Sequence, residues 1–182
     1  MALTKDKLIK RLQEGNITSD LIALDLSYEN LSGLNLSGLN FETTDLYYTN
    51  LSDSNLHDVN FTNTNLCHAN LSGVNLTSSN LFRAYARYVK LIEANLSDAN
   101  LTEATLVNSN LSGANLFGAN LTNCNLAGAN LSYADLTGVD FRKVVISGAN
   151  LSYADLTEAI LIGVDLSGVN LSYADLTDAI LD

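Results

Sequence analysis

The stretch Leu131-Ser-Tyr-Ala-Asp-Leu-Thr137 occurs three times in the chain, beginning at Leu131, Leu151 and Leu171. Within it a leucine returns at every fifth residue, and this period continues without insertion from Leu26 to Leu181. Of the 32 positions in that series 27 are Leu, and the others are Phe41, Phe61, Ala86, Phe141 and Ile146. Such regularity indicates a solenoid, in which each unit buries its apolar side chains against its neighbours.

The residues around each leucine complete the repeat. The position two before it is mostly Ala or Val, the position directly before it is Asn or Asp in 26 cases of 32, and Ser or Thr usually follows. A period of five fits neither an α-helix nor a flat strand, so the chain must turn with the repeat. We expect the leucine and the small residue to point inward, with Asn, Asp, Ser and Gly in turns. The absence of Pro agrees with backbone N–H groups that are needed between coils.

The longer spacing of twenty residues sets the size of one coil. Four pentapeptides per coil make a square cross-section, and the 32 centres then give eight coils. At a strand spacing of roughly 4.8 Å the stack is about 38 Å tall. We therefore predict an all-β solenoid with a core of four columns of stacked Leu or Phe.

Runs such as Ala69-Asn-Leu-Ser-Gly73 and Ala154-Asp-Leu-Thr-Glu158 match a short signature, A(D/N)LXX. In these runs the chain resembles the pentapeptide-repeat family, over about 160 of its 182 residues. The resemblance implies a right-handed quadrilateral β-helix, the shape already reached from the spacing. Members of the family abound in cyanobacteria, mostly with no known biochemical activity. The shared motif builds the core and not a site, so it implies no binding residue.

Residues 1–23 differ from the repeat, and we predict that they are a short capping α-helix and a lead-in. The apolar residues of one helical face are Leu3, Leu8, Ile9 and Leu12. Thr4 can cap the start of the helix and Gly15 can end it. The helix would cover the first coil, whose apolar core and unpaired backbone would otherwise be open. Residues 24–182 are then a single repeat domain.

The sequence stops in mid-coil at 179–182, where Ile180 and Leu181 form an apolar edge. One interpretation is a homodimer through this coil. The other is that Asp175, Asp178 and Asp182 protect the edge, because a second copy would bring like charges together.

The repeat is irregular between Phe82 and Lys90. Ala86 stands at the centre, and the usual Asn positions hold Tyr85 and Lys90. We expect a local bulge here, with a bulky aromatic side chain filling the space that Ala86 leaves. The alternative is a partner-binding patch, because three of the five basic residues after residue 20 lie in this segment: Arg83, Arg87 and Lys90. Lys143, sixty residues after Arg83, should lie on the same side.

Composition limits the function classes. The formal net charge is −11, and from residue 21 onward five basic residues face seventeen acidic ones. Direct nucleic-acid binding is disfavoured, because it depends on clustered cations.

The N-terminus is too charged for a signal peptide and no apolar run could span a bilayer, so we expect a cytoplasmic protein that does not contact a membrane. Cys67 and Cys124 are expected to be free thiols, too far apart for a disulfide.

We find no pattern of an active site. His57 and His68 are the only histidines, at outward positions, and neither has the Cys or carboxylate neighbours of a triad. No glycine-rich phosphate loop follows a strand. We expect a protein without catalytic residues, metal or cofactor.

Two columns at the spacing of twenty suggest surfaces instead. Asp135, Asp155 and Asp175 form one, flanked by Tyr133, Tyr153 and Tyr173, whose rings can stack between coils. The Asp residues can equally be simple alternatives to Asn at that position. The first functional hypothesis is a scaffold that binds an unknown protein partner in a regulatory or stress pathway. The alternative, which the resemblance implies through fluoroquinolone-resistance members, is an acidic DNA mimic that occupies the duplex-binding saddle of a type II topoisomerase such as gyrase.

Overall fold

The structure is a computed structural model in which residues 5–14 and 21–181 are described. An α-helix, α1, covers Lys5–Gln13. Further along, the backbone forms parallel β-bridges between residues twenty apart, from Asp25–Asp45 to Ile160–Ile180. Each bridge is an isolated pair, so a side of the coil contributes one bridging residue and not a longer strand. The predicted right-handed quadrilateral β-helix, with four pentapeptides per coil, is confirmed.

Each coil has four sides, which we call faces A to D. Face A holds the pentapeptide 24–28 and every pentapeptide twenty residues further on. Faces B, C and D begin in the same way at 29–33, 34–38 and 39–43. Coil 1 covers 24–43, each later coil begins twenty residues on, and coil 8 begins at 164.

The core consists of the leucine centres and the small residues between them. The centres from Leu26 to Leu161 are at most 2% exposed. Phe41 and Phe61 stack in one column, with ring centroids 5.3 Å apart. Where Thr replaces the small residue its hydroxyl stays satisfied, as in Thr64, which donates to the carbonyl of Phe41 at 2.7 Å. Most buried hydroxyl groups therefore have a backbone acceptor; Ser79 Oγ is the exception among the described residues, being buried without a hydrogen-bond partner.

The corners of the coil are tight turns, and the third residue of each described turn has positive φ, with Lys143 as the exception. At one such corner the amide of Ala69 donates to the carbonyl of Leu66 at 3.0 Å, and His68 between them has φ 59°. This combination defines a type II turn, which favours Gly at the third position. The sequence predicts Asn and Asp in the turns. Some lie there, such as Asp58 and Asn108, but the Asn or Asp directly before each leucine lies just outside the turn. Their side chains accept from the amide two residues on, as Asn70 does from Ser72 at 3.2 Å.

The two ends of the described coils differ in burial. Leu12 of α1 is 3% exposed and belongs to the same apolar core as Leu21. The predicted capping helix is therefore present, although Leu3, Thr4 and Gly15 lie outside the described residues. At the other end Ile180 and Leu181 are 45% and 47% exposed. Docking of a second copy on this edge stays a prediction.

The bulge expected between Phe82 and Lys90 is wrong. Tyr85 bridges Asn65 and Thr105, and Lys90 bridges Asn70 and Asn110, in the normal register. No aromatic ring fills the space beside Ala86, because Tyr85 points outward and is 56% exposed. The backbone tolerates these substitutions because the position directly before each centre faces outward, as the exposure of Tyr85 and Lys90 shows.

The inter-coil hydrogen bonds are instead interrupted on face D and on the adjoining parts of faces C and A, in coils 5 to 8. No bridge joins Asn120 to Asp140, or Val145 to Asp165. The amide groups that do not make the expected bond to the next or previous coil belong to Gly118, Leu121, Asn123, Asp140, Lys143, Ile146 and Asp165. We call this region the ladder gap. Beside it lies a cleft of about 350 Å³, lined by Thr122, Asp140, Arg142 and Lys143.

Candidate functional site

Face A carries a continuous row of stacked rings in the first four coils. The ring centroids of Tyr28 and Tyr48 are 5.6 Å apart, those of Tyr48 and His68 4.6 Å, and those of His68 and Tyr88 4.9 Å. All four residues occupy the positive-φ position of their turn, so the coil repeat itself places one ring above the next. We call this row the aromatic stack.

Tyr47 packs edge-on against the aromatic stack. Its ring is close to perpendicular to those of Tyr28, Tyr48 and His68, with centroids 5.6, 4.7 and 5.7 Å apart. Partial desolvation raises the pKa of the Tyr47 hydroxyl, and the neighbouring Tyr48 and Tyr28 add to the rise. Edge-to-face contacts of this kind stabilise aromatic pairs beyond their buried area. The cluster is therefore preorganised and still exposed, with Tyr28 70% and Tyr48 48% accessible.

The three cations between Phe82 and Lys90 lie near the end of the aromatic stack, where coil 3 passes into coil 4. Arg87 lies on face A with its guanidinium carbon 5.8 Å from the centroid of the Tyr88 ring. Lys90 is exposed on face B, one residue beyond the corner. Arg83, on face D, forms an ion pair with Glu103 at 2.7 Å. Arg87 and Lys90 therefore lie on either side of one corner, whereas Arg83 points to another side, so the three cations do not form one patch.

The second aromatic row lies at the far edge of face B. Tyr133, Tyr153 and Tyr173 stack with ring centroids 4.8 and 4.9 Å apart, as the spacing of twenty predicted. The adjacent column on face C is formed by Asp135, Asp155 and Asp175, which bridge one another in register. Hydrogen bonds from Thr177 lower the pKa of Asp175. The structure places both predicted columns side by side, without showing what they bind.

Face C is the most acidic side of the molecule. Its acidic residues are Asp58, Asp98, Asp135, Asp155, Glu158, Asp175 and Asp178, and none of the five basic residues of the coils lies on it. The cations lie on the other three faces. Lys143 shares the column of Arg83, as expected, and Arg142 pairs with Asp140 at 2.6 Å, which lowers the pKa of that carboxyl.

The thiols and the remaining histidine form no cluster. Cys67 and Cys124 are free, and burial raises the pKa of Cys124 to about 12. His57 is exposed, with its Nδ1 3.0 Å from the carbonyl of Thr77. Within residues 5–14 and 21–181 no group of His, Cys, Asp and Glu side chains could hold a metal ion. The same residues contain no helix with the length and apolar character of a membrane span.

Sequence reasoning missed the aromatic stack. The sequence predicts His68 to be an isolated surface residue, whereas its ring lies between those of Tyr48 and Tyr88. The signal was available in the spacing of twenty that links Tyr28, Tyr48, His68 and Tyr88. The signal is weak because His68 interrupts the tyrosines, whereas Tyr133, Tyr153 and Tyr173 repeat one residue type.

Comparison with known proteins supports the fold and the family. The family model described as pentapeptide repeats matches eight copies, over residues 25–63, 54–81, 79–116, 109–148 and 146–182. The structure is similar to HetL, a pentapeptide repeat protein involved in heterocyst differentiation regulation from the cyanobacterium Nostoc sp. strain PCC 7120. The identity is 28%, covering 99% of this chain and 95% of HetL, with a TM-score of 0.53.

A second similar structure is a trypsin-treated variant of QnrB1, a plasmid-mediated fluoroquinolone resistance protein. It is 18% identical, with 85% of this chain and 92% of QnrB1 covered and a TM-score of 0.52. That likeness shows the fold alone. No curated protein matches the chain. Because the repeat model covers nearly all of the coils, the chain belongs to the pentapeptide-repeat family.

Proposed function

We propose that this protein is a non-catalytic scaffold that binds a protein partner through the aromatic stack on face A. The observation that carries the proposal is the exposure of stacked rings that are already ordered, with Tyr28 70%, Tyr48 48% and Tyr88 44% accessible. Tyr and Arg are enriched among residues that dominate binding energy at protein interfaces. Arg87 beside Tyr88 supplies such a pair.

Rigidity favours the same surface. Tyr48 and His68 each lie between two stacked rings, and Tyr28 and Tyr88 each stack on one. The turns that carry them belong to the inter-coil ladder, as where the amide of Tyr48 donates to the carbonyl of Cys67 at 3.1 Å. A partner would therefore bind without paying for the ordering of these side chains. The similarity to HetL supports a regulatory setting, since that protein takes part in the regulation of differentiation.

A non-catalytic role is consistent with the chemistry of the reactive side chains. Cys124 is fully buried, and its raised pKa of about 12 keeps the thiol protonated. The ring of His68 is held between two tyrosine rings, and neither ring nitrogen is seen to contact a nucleophile among the described residues.

The test is to compare two double variants as baits in extracts of the protein's own cells. Y28N/Y48N removes two rings from the aromatic stack, and Y133N/Y153N removes two rings from the same turn position in the other row. Asn tolerates positive φ, so both variants should fold. A protein captured by the wild type should then be purified and titrated.

We expect Y28N/Y48N to weaken the purified partner's binding at least tenfold and Y133N/Y153N to change it less than twofold. Equal affinity of both variants for every captured partner would reject the aromatic stack as the binding surface. Thermal unfolding of each variant shows whether a loss reflects unfolding.

Face C favours a second candidate function, the acidic DNA mimic. Seven carboxylates share this face with no cation, and Asp135, Asp155 and Asp175 repeat at the coil spacing. A face of one sign presents a strong potential to a basic groove. The test is inhibition of DNA gyrase supercoiling by the wild type, by D135N/D155N/D175N and by the charge-matched control E42Q/D53N/E93Q. Inhibition that only the first variant loses would support mimicry, and no inhibition at high micromolar protein would exclude it for gyrase.

A further inference from the structure

Arg87 and Lys90 differ from the other cations of the coils. Arg83 and Arg142 each form an ion pair with a carboxylate, at 2.7 and 2.6 Å. Arg87 and Lys90 are both exposed, and neither has a carboxylate within 4.0 Å among the described residues. In a chain with a formal net charge of −11, unpaired cations need an explanation.

The surroundings of this pair are depleted of acid. In coils 3 to 6, faces A and B together carry a single acidic residue, Glu93, at the far edge of face B. The nearest outward neighbours in the columns of Arg87 and Lys90 are neutral: Cys67, Val107, Asn70 and Asn110. The potential over coil 4 on these two faces is therefore positive relative to the rest of the molecule.

The tyrosines beside Arg87 and Lys90 also favour a partner that carries hydrogen-bond acceptors. Tyr88 accepts a hydrogen bond from Nδ2 of Asn108 at 3.3 Å, which leaves the hydroxyl proton free to be donated outward. The exposed edges of the Tyr85 and Tyr88 rings carry the positive end of the ring quadrupole. The surface therefore presents two cations, a phenol donor and positive ring edges. Each of these groups interacts favourably with an anionic partner that is rich in hydrogen-bond acceptors.

We propose that the partner presents a carboxylate-rich segment of polypeptide to Arg87, Lys90, Tyr85 and Tyr88. This inference rests on the proposed function and names the chemistry of the partner. Because the remaining surface is strongly acidic, an acidic segment is repelled elsewhere and directed to coil 4. Specificity thus comes as much from the sixteen other acidic residues of the coils as from the two cations.

The probe is a fluorescein-labelled peptide of twelve residues that contains six Glu separated by Ser and Leu. Its binding is measured by fluorescence anisotropy for the wild type, for R87Q/K90N and for the control R142Q/K143N, which removes the same charge from face D. K90N restores the Asn of the regular repeat, so loss of folding is not expected.

We expect saturable binding by the wild type, weakened at least tenfold in R87Q/K90N and less than twofold in the control. Binding should also weaken as salt rises from low to high concentration, because charge contacts at an exposed surface are screened. A peptide with Gln in place of Glu should not bind.

Absence of saturable binding by the wild type would overturn the proposal. So would equal losses in both variants, or equal binding of the Gln peptide. Tighter, variant-sensitive binding of a single-stranded oligonucleotide of equal charge would identify nucleic acid instead. The last outcome is a captured partner that loses binding to Y28N/Y48N and binds R87Q/K90N as tightly as the wild type. That result would support the scaffold function and reject only the proposal that the partner is acidic.

Discussion

The segment from Phe82 to Lys90 and the ladder gap show opposite relations between sequence and backbone. Around Ala86 three repeat positions depart from consensus, yet the bonds continue, with Leu66 N–H to Tyr85 O at 2.7 Å and Ala86 N–H to Thr105 O at 2.8 Å. At the ladder gap the first strand carries regular residues, with Ala119, Asn120 and Leu121 in their usual places. The bond from Leu121 to the next coil is nevertheless absent.

The difference teaches that outward side chains do not control the coil. Tyr85 and Lys90 replace Asn, but their backbones still bridge, because a bridge needs only N–H and C=O groups in register. What the substitutions change is the surface. At the ladder gap the backbone itself departs from the repeat: Lys143 lacks the positive φ that the third turn residue has at every other described corner.

The largest effect is expected in the core column that contains Leu66, Ala86 and Leu106. Because the coil spacing is normal at Ala86, the column has room for a leucine there. We expect Ala86→Leu to raise the free energy of unfolding by about 1 to 2 kcal/mol. Leu106→Ala should lower it by roughly 2 to 5 kcal/mol. Urea unfolding measures both, and a destabilising Ala86→Leu would show that neighbouring side chains already fill the space.

Amide hydrogen exchange tests the contrast between the two regions directly. The amides of Asn123, Lys143 and Ile146 make no inter-coil bond, whereas those of Tyr88 and Lys90 do. We expect the first group to exchange on the order of 100-fold faster, since their exchange needs no opening of the ladder. Equal protection in both groups would mean that the ladder is continuous in solution.

A smaller effect is expected at Cys124, next to the ladder gap. Its pKa of about 12 lies above the value of roughly 8.5 for an unfolded cysteine. Above pH roughly 8.5 the unfolded chain loses the thiol proton that the folded chain keeps. The native state therefore loses stability as the pH rises from roughly 8.5 toward 12. Relative to Cys124→Ala, the wild type should lose about 1 kcal/mol between about pH 7.5 and 9.5.

The variant Cys124→Ala is a suitable reference because Ala is the commonest residue at that repeat position. Urea unfolding at several pH values measures the difference, and a thiol reagent at pH 8 should modify Cys67 while Cys124 stays protected. If Cys124 reacts as fast as Cys67, the ladder gap reaches the core.

The sequence predicted part of the aromatic surface and missed the aromatic stack. The row of Tyr133, Tyr153 and Tyr173 was predicted because identical residues recur at one spacing, and the rings stack as expected. The aromatic stack mixes Tyr with His68, so only the established register makes it visible. The three cations near Ala86 were found as a group, but the coil separates Arg83 from Arg87 and Lys90 by a corner.

The sequence by itself determined the fold, because a leucine at every fifth residue can be buried only if the chain turns four times in each coil of twenty residues. It also determined which residues face inward. Only the tertiary structure decided which outward residues are neighbours, since partners such as Tyr48 and His68 lie twenty residues apart. The same holds for the ladder gap, because the hydrogen bonds between coils join residues about twenty positions apart in the sequence.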